Sequence, residues 1–192
     1  MAGSQFLCFG EYILYKNSET YSMNSCETIE IFYNIRTDLD KLKYAVYITK
    51  IINDVTTENQ NNYKALQLYL NTLYTISNTD KDLDFILSIF NIRLLSIIGY
   101  RPVTEECKTC KRKEDLEYFS FRDSGLKCSS CAKQDTGAIK ITPTTKDAIR
   151  YIIMADAKKI FSFNVSEESK KELHIIAKVY TEEKLEKEYK ID

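Results

Sequence analysis

The chain has 192 residues and a net charge of −1, from 27 Lys and Arg against 28 Asp and Glu. That balance excludes a uniformly basic protein that coats nucleic acid, and an acidic disordered tail, but leaves room for a local basic patch. With 44% hydrophobic and 29% charged residues it can bury a core, and its five Gly and two Pro, where roughly 12% of a chain is usual, exclude an all-β protein with many tight turns.

Residues 6–23, FLCFGEYILYKNSETYSM, alternate loosely and carry strand formers, with a turn at Lys16–Glu19. Two strands alone do not hold together in water. They therefore read as the remainder of a larger sheet, a cover on the helices, or a pairing surface. No basic segment precedes this apolar run and Glu11 interrupts it, so it does not read as a targeting signal. The expectation is a soluble, cytoplasmic protein.

From Glu27 onward the pattern becomes helical. Thr37 and Asp40 form a start signal resembling a capping box, with Leu39, Leu42, Val46 and Ile52 on one face. A polar connection, TTENQNN at 56–62, leads into a second helix over about 61–77 with Tyr63, Leu66, Leu70 and Leu73 inward. A third helix over 81–98 is apolar around most of its circumference, which places it at the centre of a bundle. Gly99 and Pro102 are its stop signals. It contains Asn91 and Arg93 and is too short to span a bilayer comfortably. Thr142-Pro143 opens a further helix over 143–155. The last, from Ser166 to about Tyr189, alternates in charge and reads as a solvated surface helix.

Between these helices lie Cys107-Lys-Thr-Cys110 and Cys128-Ser-Ser-Cys131. The spacing falls in the C-x₂-C-x₁₅₋₂₀-C-x₂-C zinc pattern. A two-residue gap lets two thiolates of one turn face one cation, and the second pair completes a tetrahedron. Zn²⁺ is the primary expectation and an iron–sulfur cluster the competing one. Four thiolates fill the tetrahedron, so the site reads as structural. Cys8 and Cys26 read as structural thiols, and His174, the one histidine, as a surface or packing residue. The stretch 107–133 carries seven Lys and Arg against four Asp and Glu. Lys108, Lys111, Arg112, Lys113, Arg122 and Lys127 are candidate nucleic-acid contacts, or else balance the thiolates. Tyr118, Phe119 and Phe121 offer stacking faces or a small core. With no Gly-rich phosphate loop, no G-x-S-x-G and no H-E-x-x-H in the sequence, a non-enzymatic protein is expected.

Phe90-Asn-Ile-Arg93-Leu94-Leu95, then Gly99-Tyr100-Arg-Pro102, the two CxxC pairs, and the closing LEKEYKID together resemble the bacterial recombination mediator family RecO. The resemblance implies a DNA-repair protein that binds single- and double-stranded DNA and anneals complementary strands. It also implies association with RecR and single-stranded-DNA-binding protein, aid in loading the RecA recombinase, and a nucleoid-associated location. Arg93 matches a family arginine and is a candidate partner contact, or else an internally paired side chain. RecO usually opens with a complete OB-fold, whereas here only residues 1–30 precede the helices, enough for about its last two strands. The fold expected is mainly α. It is a helical bundle over 31–192 carrying an inserted Cys₄ zinc-ribbon-like module at about 103–135, behind a short β remnant of an OB-fold. A protein-interaction adaptor that does not itself bind DNA is the alternative.

Overall fold

The computed structural model describes residues 5–191, so the first four residues of the expected OB remnant lie outside it. Two strands, β1 (Cys8–Asn17) and β2 (Thr20–Ile31), form an antiparallel hairpin that turns at Ser18 and Glu19. β2 runs on to Ile31, so the helical pattern read from Glu27 is corrected. The β-branched residues Thr28, Ile29 and Ile31 continue the strand, and helix starts only at α1 (Tyr33–Arg36). The hairpin's base is anchored by Leu7 and Phe32, both buried. Beyond it, Ile13, Leu14, Tyr15, Tyr21 and Ile29 are all more than half exposed. Arg36 ties this base down by donating to Gln5 Oε1 at 2.8 Å, to the Phe6 carbonyl and to Cys8 Sγ at 3.2 Å.

Helix α2 (Leu39–Val55) is capped by Asp38, whose carboxylate accepts from the Asp40 and Lys41 amides. The cap is thus one residue beyond the expected Thr37. Its buried face is Ala45, Tyr47, Ile48 and Ile51, whereas Leu39 and Val46 are exposed. In α3 (Tyr63–Asn78) the buried residues include Ala65, Leu68, Thr72, Leu73 and Ile76, whereas Tyr63 and Leu66 face solvent. Both helices are rotated from expectation for one reason. Their buried stripes are built partly from Ala and Thr, whose hydroxyls are satisfied locally, as Thr72 Oγ1 donates to the Leu68 carbonyl at 2.7 Å.

Helix α4 (Leu83–Ile97) starts at Asp82, which accepts from the Phe85 amide at 2.7 Å. It touches α2, α3, α6 and α7, as its apolar circumference requires. Gly99 stops it with φ of +104°, while the Tyr100 amide donates back to the Leu95 carbonyl at 2.7 Å. This is a Schellman closure, which favours a residue without Cβ. A three-stranded sheet in the order β4-β3-β5 follows. Its members are β3 (Leu116–Ser120), β4 (Gly125–Cys128) and β5 (Ile139–Lys140), with α5 (Ser129–Ala132) directly after β4.

Helix α6 (Pro143–Met154) has Thr142 as N-cap and Pro143 in its first turn. Helix α7 (Glu167–Leu185) starts at Ser166, which accepts from the Ser169 amide. Its alternating charges lie on one side only. Leu173, Ile176, Ala177 and Tyr180 are buried on the other, and α7 packs along α4, which corrects its reading as a solvated surface helix. No helix among the described residues is long and apolar enough to cross a membrane.

Candidate metal centre

Cys107 and Cys110 sit in the loop that follows Pro102. The Cys107 amide donates to the Arg112 carbonyl at 2.6 Å and the Lys111 amide returns to the Cys107 carbonyl at 2.9 Å. This tight knuckle needs Lys111 at φ of +65°. Cys128 closes β4 and Cys131 lies on α5, so a strand-to-helix corner presents the second pair. The four Sγ atoms lie within 4.8 Å of one another. Cys110 Sγ and Cys128 Sγ are 3.7 Å apart, and a tetrahedron of about 2.3 Å metal–sulfur bonds has edges of about 3.8 Å. The cluster therefore fits a metal ion.

The thiols perturb one another's protonation. Burial pushes the Cys107 thiol up, but the backbone amides of Cys110, Cys128 and Thr109 outweigh it and bring it down to about 6. The hydrogen bond with Cys110, then burial, then the Cys128 and Cys107 sulfurs push Cys131 up to about 12. Neighbouring thiolates repel one another, and a bound cation removes that conflict. Cys107 and Cys128 are buried, Cys110 is exposed and Cys131 half-buried, so the centre lies at the surface of the molecule.

Of the two readings of the hairpin's aromatics, stacking faces or a small core, the small core is the one found for Phe119. Phe119 is fully buried and meets Phe121 and Tyr180 edge-on at 5.4 and 5.5 Å. These aromatics pack the module against α7, and Phe119 offers no stacking face. Gly125 is buried beside the loop before Cys107, where a Cβ would lie 2.5 Å from the Val103 carbonyl oxygen. The left-handed turn residue is its neighbour Ser124, at φ of +55°. Close approach, and not the turn itself, demands glycine here.

The basic cluster divides. Lys108, Lys111, Arg112, Lys113 and Arg122 are exposed. Lys111 pairs with Glu106 at 2.8 Å, Arg112 with Asp115 at 3.8 Å and Arg122 with Asp123 at 3.5 Å. Lys127 does not belong with them, and the structure corrects its assignment as a nucleic-acid contact. It is 2% exposed, bonded to Asp123, and 2.7 Å from Asp135, whose carboxylate also accepts from Ser120 at 2.5 Å. Burial pushes its ammonium down, but Asp123 and Asp135 outweigh that and hold its pKa above the ordinary range. The i+8 spacing of Lys127 and Asp135 across a turn left no periodic signal for this pair.

Arg93 is likewise occupied inside the molecule. Its guanidinium donates to the carbonyls of Ile152, at 3.1 Å, Ile153 and Ala155, at 2.9 Å. These are carbonyls that the C-terminal end of α6 leaves without helical partners. The internally paired reading of Arg93 is the one the geometry carries. Three further contacts join the cysteine-bearing segment to the bundle. Arg150 donates from Nε and Nη2 to the Thr104 carbonyl, Tyr180 Oη donates to the Tyr100 carbonyl, and Lys184 Nζ reaches the Phe121 carbonyl. His174 is partly exposed, with Nδ1 3.8 Å from Asp84 Oδ1, and is remote from the cysteines in sequence and in partners.

Comparison with known proteins identifies the family. The family model described as the C-terminal part of recombination protein O matches residues 36–191. The DNA repair protein RecO of Acetivibrio thermocellus is 44% identical over 190 residues, covering 98% of this chain and 76% of that protein. Those of Alkaliphilus metalliredigens and a Thermoanaerobacter species are 30% and 32% identical, covering 94% and 93% of this chain and 74% and 72% of theirs. The chain belongs to the RecO family.

Proposed function

We propose that this RecO-family chain is a non-enzymatic mediator of DNA repair and homologous recombination. It binds single- and double-stranded DNA, anneals complementary strands, and works with RecR, single-stranded-DNA-binding protein and the RecA recombinase in the cytoplasm, at the nucleoid. Strands β1 and β2 correspond to the last strands of an OB-fold. Residues 31–192 form the helical domain, and about 103–135 are its ribbon-like module, stapled by one Zn²⁺ on Cys107, Cys110, Cys128 and Cys131. Zn²⁺ bound there closes the loop. Four protein thiolates occupy its coordination sphere, so its contribution is structural.

One observation carries the DNA-binding part. Lys108, Lys111, Arg112, Lys113 and Arg122 all project into solvent from a loop and hairpin joined by the cysteine cluster. A rigid module with cations outward is suited to phosphate contacts, which position without reading sequence. Fluorescence anisotropy with a labelled oligonucleotide should give an affinity that falls steeply with salt, through counterion release. Reversing Lys111, Arg112 and Lys113 to Glu should weaken binding and flatten that slope by about 2 to 3. Affinity that is independent of salt, or unchanged in the triple variant, would refute the patch.

The adaptor reading has its own support, because three of the five exposed cations already face a carboxylate within 4 Å. It predicts capture of RecR by a tagged chain with no retention of DNA.

A further inference from the structure

A cavity of about 370 Å³ opens between α3, the end of α4 and the turn that follows α6. Helical spacing sets its lining. Lys64 and Gln67 stand one turn apart on α3, Arg93 and Ile97 one turn apart on α4, and Arg101 follows the Gly99 stop. Two sets of contacts fix the walls. Asn71 Nδ2 donates to the Ala157 carbonyl at 2.8 Å, joining α3 to the turn after α6, and Arg93 joins α4 to the end of α6. Lys64 and Arg101 are exposed and Gln67 is half-buried, so the polar side of the cavity is open to a solute.

The charge around this space is one-sided. Lys64, Arg93 and Arg101 line it against one carboxylate, Asp156. Lys64 Nζ and the Gln67 side-chain amide have no hydrogen-bond or ion-pair partner among the described residues. Arg101 pairs with Glu105 at 3.1 Å through Nη2, an exposed contact that is easily exchanged, and keeps Nε and Nη1 to donate. Arg93 directs both Nη atoms at the carbonyls ending α6, and so covers partial negative charge that would otherwise face the cavity. Burial, then the charge of Arg101, holds the Arg93 guanidinium below its ordinary range, and Asp156 opposes them. Lys64 lies in the first turn of α3, which has no acidic residue and no side-chain cap, so the positive end of that helix adds to the field. Cations held near one another by separate elements repel, and an anion between them removes that repulsion.

We infer that this cavity binds a phosphate group. A carboxylate presents two oxygens in one plane and is satisfied by a single guanidinium fork. Donors arriving from separate elements, Lys64 and Gln67 on α3 and Arg101 beyond α4, suit a group whose oxygens point in three directions. The apolar side, from Leu68, Ile97 and Ile153, leaves room for the body that carries the phosphate. That body is a stretch of DNA backbone or a free phosphate-bearing small molecule, and both present the same group. The site uses none of the cations of the cysteine-bearing module.

Nuclear magnetic resonance of the full, metal-loaded chain, titrated at constant ionic strength, tests the assignment. Inorganic phosphate should move the signals of Lys64, Gln67 and Arg101 saturably, while acetate at equal concentration leaves them in place. Each of Lys64→Gln and Arg101→Gln should raise the half-saturating concentration about two- to fivefold, and the two together about tenfold. Asp156→Asn should lower it about twofold, a gain that misfolding cannot imitate. If oligo-dT moves the same signals and phosphate competes with it, the group is supplied by DNA; if phosphate alone moves them, a small molecule supplies it. Signals that ignore phosphate, that follow acetate equally, or that respond unchanged in the double variant would overturn the site. Oligo-dT shifts confined to residues 107–133, with no response to phosphate, would overturn it and leave the DNA-binding reading standing. Saturable phosphate shifts with no oligonucleotide bound anywhere would do the reverse.

Discussion

The buried Lys127 gives the sharpest test of how the cysteine-bearing module is built. Lys127→Met keeps the length and apolar stem of the side chain and removes only the ammonium. Asp123 is 31% exposed and can turn to water, but Asp135 is 5% exposed and keeps only the Ser120 hydroxyl at 2.5 Å. Removing one partner of a buried pair costs about 3–5 kcal/mol, because the other charge stays behind uncompensated. In a chain of this size each kcal/mol moves Tm by about 2–4 °C, so the expected loss is roughly 6–20 °C. The pH dependence follows from the directions of the shifts. Hydrogen bonds from Lys127, then Ser120, hold the Asp135 carboxyl below its ordinary range. In the unmodified chain its contribution is therefore present above the unfolded value, about 3.9, and is lost as pH falls through the lower folded value. Without Lys127 burial raises that carboxyl, so the variant's deficit is largest at neutral pH and shrinks on acidification toward pH 5. Asp135→Asn added to Lys127→Met should restore at least about 2 kcal/mol by removing the stranded charge. Urea unfolding followed by circular dichroism, on protein of verified metal content, measures all three. A loss below about 1 kcal/mol in Lys127→Met, or a double variant no more stable than the single, would refute the reasoning.

Two other perturbations address the metal and Arg93. Elemental analysis should find one zinc per chain, and Cys128→Ser should abolish it and lower the stability of the segment 103–135, seen as faster hydrogen exchange there; retention of the metal would remove Cys128 from the ligand set. Lowering the pH should also release zinc to a chromogenic chelator, because protons compete for the thiolates. Release that rose with pH would contradict thiolate ligation. Arg93→Met should cost about 2–4 kcal/mol, from the three carbonyls it leaves unpaired at the end of α6. If stability is unchanged while RecR capture fails, Arg93 is a partner contact and not an internal cap.

What the sequence made legible follows from where its signals are local. The C-terminal end of α4 and the starts of α6 and α7 are carried by Gly99, Thr142-Pro143 and Ser166, each acting on amides or carbonyls within four residues of itself. The cysteine pairs are legible for the same reason, since a two-residue gap presets two sulfurs and only one long return is needed to join them. Three of the readings that went astray depend on a partner distant in the chain. The facing of α2 and α3 is decided by their packing on each other, on α1 and on α4, so that Ala45 and Thr72 go inward and Val46 and Leu66 outward. The charges of α7 conceal a face that only α4 reveals. Lys127 looks like any exposed lysine between acidic and apolar neighbours until Asp135 arrives from beyond α5.

The same logic bears on charge. A net of −1 says nothing of where cations are free to act, and neither does the local excess at 107–133. Of the six basic residues singled out there, one is buried in an ion pair and three face carboxylates, which leaves Lys108 and Lys113 without a salt-bridge partner among the described residues. Exposed pairs are each worth little and are easily exchanged for a phosphate, whereas the buried one is not. Under the DNA-binding proposal five residues of the module are left to meet phosphate, and Lys127→Met should leave the salt slope of DNA binding unchanged while lowering stability. A slope reduced by about one in Lys127→Met would return that lysine to the DNA-facing set.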